Sequence, residues 1–154
     1  MLTYERIIKE SQAFAEAHAQ INSFGNGDLW ELTERNNLQD FNYPRLFMVD
    51  GGVSINEKLL TYSFNVLALD QVLNGETNEN FVKSSMLQLV LDWVAWFEQT
   101  KFTDSEGNKI IVNLVRSATA DSFTERFDDI LTGWNISVSI TTPFLYNKCN
   151  IPTT

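Results

Sequence analysis

Residues 133–142 read Gly133-Trp134-Asn135-Ile136-Ser137-Val138-Ser139-Ile140-Thr141-Thr142, and apolar and polar side chains alternate along them with a period of two. Successive side chains of a strand point to opposite faces, so Trp134, Ile136, Val138 and Ile140 share one face and Asn135, Ser137, Ser139 and Thr141 the other. The stretch predicts a β-strand with a buried face and a polar face. The period recurs upstream, where Leu60, Tyr62, Phe64, Val66 and Ala68 alternate with Thr61, Ser63 and Asn65, a second half-buried strand. Two shorter apolar runs, Leu46 to Val49 and Ile110 to Val115, predict two more. Pro44 is tolerable only at a strand's start or on an edge, and Asp50-Gly51-Gly52 reads as a turn.

Helical spacing appears in two places. From Thr3 to about Asn22, Tyr4, Ile7, Ile8, Phe14, Ala15, His18 and Ile21 recur every three or four residues between Glu5, Lys9, Glu16 and Gln20, which predicts an amphipathic helix ending at Gly25-Asn26-Gly27-Asp28. A second helix is predicted from about Asn78 to Gln99, after Asn74-Gly75 closes the preceding strand. Thr103 to Lys109 is a polar loop. The expected fold is α+β: an antiparallel sheet of about four strands with two helices packed on one face, in the order α-β-β-α-β-β. Residues 1–142 form the single expected domain and residues 143–154, with Pro143 and Pro152, an extended C-terminal tail.

A chain of 154 residues buries about 68–70% of its unfolded surface when it folds as one unit. Its 11 Phe, 4 Trp and 4 Tyr predict an aromatic-rich core. The formal charge of −9 arises from 20 acids against 11 scattered bases, and no two basic residues are adjacent. Phosphate-tracking surfaces need clustered Lys and Arg, so tight nucleic-acid binding is disfavoured, whereas an acidic wall past which DNA slides is compatible with the composition. No window reaches the roughly 18 apolar residues of a membrane span. With Glu5, Arg6, Lys9 and Glu10 near the start, the expectation is a cytosolic beginning without a signal peptide.

The residues that could carry chemistry are few. Cys149 cannot form an internal disulfide, and no Cys/His spacing suits zinc. His18 lies on the apolar side of the first helix with no acid or nucleophile visibly converging on it, which favours a packing role. Asp121, Glu125, Asp128 and Asp129 lack the spacing and the glycine of an EF-hand and read as a solvated segment. Asp92 forms a thin polar stripe with Gln88 and Gln99 on the second helix. Gly25-Asn26-Gly27-Asp28 lacks the Lys-Ser or Lys-Thr of a phosphate loop. No catalytic residue, cofactor site or metal site emerges, and the expectation is a protein that is not an enzyme.

Two surfaces suggest partners. Between Met86 and Phe97 only Gln88 and Asp92 are polar, so the second helix presents Trp93, Trp96 and Phe97 nearly all round. Either the first helix and residues Leu29 to Leu38 complete its coverage, or another chain does. The row Asn135, Ser137, Ser139, Thr141 carries no charge, although exposed strands commonly use Lys or Glu against edge pairing. That face or edge is a candidate contact with a second subunit, and Phe144, Tyr146 and Ile151 of the tail supply apolar anchors beyond it. Trp96, Asn135, Ser137, Ser139, Thr141, Phe144, Tyr146 and Ile151 are the candidate interface.

The segments Tyr43-Pro44-Arg45-Leu46-Phe47-Met48-Val49-Asp50, Thr61-Tyr62-Ser63-Phe64-Asn65-Val66, Asp92-Trp93-Val94-Ala95-Trp96-Phe97 and Gly133-Trp134-Asn135-Ile136 together resemble the small tail-terminator, neck or ring proteins of tailed bacteriophages, particularly crAss-like phages. The resemblance runs from the first helix to Pro152 and rests on layout and texture more than on an invariant motif. It implies a virion subunit, made in the host cytoplasm, that joins a six-fold or twelve-fold homo-oligomeric ring at the head-tail junction or along the tail. Such a ring would contact other tail, neck or portal proteins and let genomic DNA pass without specific binding. It further implies that the segment Asp50 to Lys58 and the C-terminal tail touch adjacent rings or subunits. The alternative is a small-ligand-binding or adaptor domain with an apolar molecule held between sheet and helices.

Overall fold

The computed structural model describes residues 1–28, 42–72, 77–117, 119–126, 130–144, 149 and 151–153. Its elements are α1 (Tyr4–Ala17), β1 (Ser23–Gly27), β2 (Arg45–Asn56), β3 (Leu59–Gln71), α2 (Glu79–Gln99), β4 (Asn113–Arg116), β5 (Asp121–Arg126) and β6 (Ile130–Pro143). The fold is α+β, with two helices and a six-stranded, mostly antiparallel sheet among the described residues. Strand order is β1-β2-β3-β6-β4, and β5 also pairs with β6, beside β4. Among the described strands only the β1–β2 pair is parallel.

Six strands stand where the alternation predicted four, and the two additional ones are those whose sequences hide the period. β1, Ser-Phe-Gly-Asn-Gly, has no β-branched residue, and its glycines read as a helix stop. A Cβ at Gly25 would meet the Arg45 guanidinium on the neighbouring strand, which would have to move aside. β5, Asp-Ser-Phe-Thr-Glu-Arg, carries two of the four acids read as a solvated segment, Asp121 and Glu125, and pairs with β6 from Asp121↔Asn135 to Arg126↔Ile130. Asp50-Gly51-Gly52 is no turn. The register slips there and the strand continues, with Gly52 at φ +93° and its N–H donating to Asp50 Oδ1 at 3.0 Å, a β-bulge in a hairpin that turns at Glu57-Lys58. The predicted third strand also begins later, at Asn113.

Helix α1 ends at Ala17 rather than near Asn22. His18 is extended (φ −78°, ψ 127°), and its Nδ1 accepts the Gln20 N–H at 3.2 Å, a local bond that replaces the next helical turn. At the other end Thr3 caps the helix by accepting the Arg6 N–H at 3.3 Å. Helix α2 keeps its predicted limits, from the N-cap Asn78 to Gln99.

Both helices cover one face of the sheet. Leu46, Met48, Tyr62, Phe64, Val66, Ala68, Ile136, Val138 and Ile140 meet Ile7 and Phe14 of α1 and Val82, Met86, Leu89, Val90, Trp93, Val94 and Phe97 of α2. Trp93 is wholly buried, and an aromatic of that size removes about 150–250 Å² from water, a gross gain on the order of 4–6 kcal/mol. The broad apolar surface of α2 is therefore covered mostly within the chain, leaving Phe81, Leu91 and Trp96 exposed. A smaller cluster, Phe47, Leu67, Leu69 and Leu131, is buried on the opposite face at one end of the sheet.

Candidate functional site

Strand β6 lies inside the sheet. β3 pairs with it from Leu131 to Pro143, and its other edge is taken by β5 from Ile130 to Asn135 and by β4 from Val138 to Thr141. Between those two strands Ser117 donates its N–H to Ser137 O at 2.7 Å and accepts the Ser137 N–H on Oγ at 3.3 Å. An edge contact through β6 is thus ruled out by its own neighbours, and only its outer face remains open to another chain.

That face is broader than one row. Beside Ser137, Ser139 and Thr141 stand Thr61, Ser63 and Asn65 of β3, then Ser54 and Asn56 of β2, with Asn113 and Val115 of β4 on the other flank. None of these side chains is charged. Hydroxyl and amide groups bond one another across the strands: Thr61 Oγ1 is 3.1 Å from Thr141 Oγ1, and Ser137 Oγ donates to Asn65 Oδ1 at 2.8 Å. Asn135 Oδ1, at the margin, is buried without a hydrogen-bond partner.

The eight candidate interface residues do not form one surface. Asn135, Ser137, Ser139 and Thr141 line the outer face. Trp96 sits in the helix layer, on the opposite side of the sheet, where its Nε1 donates to Glu10 Oε1 at 2.7 Å and its ring leans on Phe14 at 5.7 Å. Phe144 packs against the helix-side core and donates its N–H to Lys58 O at 2.6 Å, fixing the end of β6 to the hairpin turn. Ile151 is exposed, and Tyr146 lies outside the described residues.

Tertiary packing does bring an acid to His18. Its Nε2 is 3.0 Å from Asp92 Oδ2, and Gln88 donates to Asp92 Oδ1 at 2.9 Å, so the polar stripe of α2 clamps the C-terminal end of α1. With Nδ1 accepting from Gln20, the neutral ring carries its proton on Nε2 and donates to the carboxylate. Seventy-four residues separate the partners, so no sequence spacing signalled the pair. The edge of Phe14 flanks the imidazole at 5.4 Å. Cys149 is exposed. Asp121 and Glu125 belong to β5, Asp128 and Asp129 lie outside the described residues, and among the described residues no three His, Cys, Asp or Glu side chains converge as a metal site would require.

A cleft of about 250 Å³ opens between the C-terminal end of α2 and β4, lined by Phe97, Glu98, Thr100, Phe102, Val112, Asn113 and Leu114. Among the described residues no helix is long and apolar enough to cross a membrane. No protein-family model and no curated protein matches the chain.

Proposed function

We propose that this chain is a structural subunit of a phage virion that assembles into an oligomeric ring at the head-tail junction or tail, around the DNA channel. The observation that carries the reading is the uncharged patch on the outer face of the sheet, formed by Ser137, Ser139 and Thr141 of β6 with Thr61, Ser63 and Asn65 of β3. A chain with net charge −9 repels its own copies, and like charges brought together across an interface cost stability. An uncharged polar patch, with Asp121 opposite Asn135 only at its margin, is where a further subunit packs without stranding a charge. The net charge of −9 suits a channel wall that repels DNA phosphates. The tail-terminator, neck and ring resemblance supplies the setting, with a six-fold or twelve-fold ring and neighbouring tail, neck or portal proteins as partners.

The test is assembly. Negative-stain images and light scattering of the purified protein should show rings of defined size. Ser137→Lys or Ser139→Lys should leave the monomer folded and weaken assembly, because each places charge on the neutral face. Unchanged assembly in both variants removes this face from the interface.

The cleft beside Phe97 and Phe102 supports the alternative, a small-ligand-binding or adaptor domain. Its volume falls just under the roughly 300–1,000 Å³ of typical small-molecule sites. A monomeric protein that binds an apolar probe there would favour that reading over the ring.

A further inference from the structure

At the end where β2 and β3 turn, the described sheet is four strands wide, in the order β2-β3-β6-β4. β1 stops at Gly27, opposite Val49, so no described strand pairs with the outer edge of β2 from Gly51 to Asn56. No described strand pairs with the outer edge of β4 either. Strand edges are normally blunted by charge or proline, yet Gly51 to Asn56 contains neither, and Val53 and Ile55 stand 48% and 66% exposed. The opposite edge is similar, with Ile111 68% and Val115 55% exposed.

The two edges are complementary. Adjacent strands at this end alternate in direction, so placing β4 of one copy beside β2 of the next continues the sheet as an antiparallel pair. The rows of residues crossing the sheet also match at their ends. One row runs Val53, Tyr62, Ile140, Leu114, the next Ser54, Thr61, Thr141, Asn113, and a third Asp50, Phe64, Val138, Arg116. Continued from copy to copy without slip, they set Val53 against Leu114, both on the helix side, Ser54 against Asn113, both on the outer face, and Asp50 against Arg116, which are oppositely charged. A one-residue slip would set helix-side residues of one copy beside outer-face residues of the next. The cleft of about 250 Å³ opens along the same edge of β4, on the helix side, where the incoming Val53 and Ile55 would lie.

We propose that copies of this chain join through antiparallel pairing of the distal half of β2 with β4 of the next copy, Val53 and Ile55 lying against Val112 and Leu114 at the cleft that Glu98 and Thr100 also line. The contact is head-to-tail, the kind that generates a ring when its rotation closes. The proposal rests on the ring reading and names its lateral joint.

Cysteine trapping tests it. In a Cys149→Ser background, Val53→Cys and Leu114→Cys are made in separate chains. Paired antiparallel residues lie about 4.5–5.5 Å apart at Cα, within disulfide reach. Oxidising a mixture should give a covalent dimer on a non-reducing gel at least tenfold above either variant alone. Ile55→Lys, on the exposed hairpin, should keep the monomer's circular dichroism and weaken self-association more than tenfold. Rings without cross-link in the mixture would overturn the joint and leave the ring reading standing. Cross-linking of Val53→Cys with itself would replace the joint by a two-fold β2–β2 contact. A wild-type chain that stays monomeric at every concentration would overturn both the ring reading and the joint.

Discussion

The indole Nε1 of Trp93 donates to Ser11 Oγ at 3.1 Å in the fully buried seam between α1 and α2, and Ser11 in turn donates to Ile7 O at 3.0 Å. The bond lets a large aromatic with a polar atom sit at the centre of an apolar core. Ser11→Ala should strand the indole N–H and cost about 1–3 kcal/mol, read as a lower urea midpoint. Trp93→Phe in that background removes the stranded donor, so its further cost should be smaller than in wild type. Additive costs would show that the bond contributes nothing.

At Gly133 β6 lies so close to β3 that a Cβ would collide with the Ala68 carbonyl oxygen. Backbone cannot give way as a flexible side chain does. Gly133→Ala should therefore destabilise the domain by about 2–4 kcal/mol, beyond any ordinary change of strand propensity, measured by chemical unfolding. A neutral result would mean that the strands separate at little cost.

Glu57, the first of two residues in the β2–β3 turn, holds φ +35°, a conformation that favours Gly and Asn. Glu57→Asn or Glu57→Gly should raise stability by roughly 0.5–1 kcal/mol, visible as a higher thermal midpoint. Because the turn stands clear of the core, no packing change should mask the gain.

Two carboxylates should give opposite pH signatures. Burial pushes the half-buried Asp70 above its ordinary value, against a smaller lowering from the Gln71 N–H. Its folded pKa exceeds its unfolded one, so its contribution falls as pH rises between the two and stays unfavourable at neutrality. Asp70→Asn should raise the thermal midpoint at pH 7, with a smaller effect below about pH 4.

Asp104, by contrast, is held below its ordinary value, first by the Asn108 N–H at 2.8 Å and also by the Glu106 N–H at 2.9 Å. Its stabilisation is present above the unfolded carboxylate value and is lost as pH falls through the lower folded one. Amide exchange at Asn108 should accelerate in acid relative to its pH-corrected intrinsic rate, and Asp104→Ala should remove that dependence.

The alternation at residues 60–68 and 133–142 and the helical spacing at residues 78–99 were enough to place β3, β6 and α2 close to their observed limits. Strong periodicity survives folding because it states which face must leave water. β1 and β5 were illegible for the converse reason. Their sequences carry glycine or charge instead of an apolar period, and what makes them strands is a partner, Arg45 to Val49 for one and Ile130 to Asn135 for the other. Asp50-Gly51-Gly52 misled because a bulge and a turn draw on the same residues.

By itself, the sequence determined the α+β class, the aromatic core and the uncharged row on the last strand, all of which follow from local side-chain chemistry. Tertiary structure alone decided that this strand is central, that Asp92 meets His18, and that the rows of the sheet end in Val53 at one edge and Leu114 at the other. These are relations between residues tens of positions apart. Strand order and register settle them, and both are set by the global burial of the helix-side face rather than by any single stretch of chain.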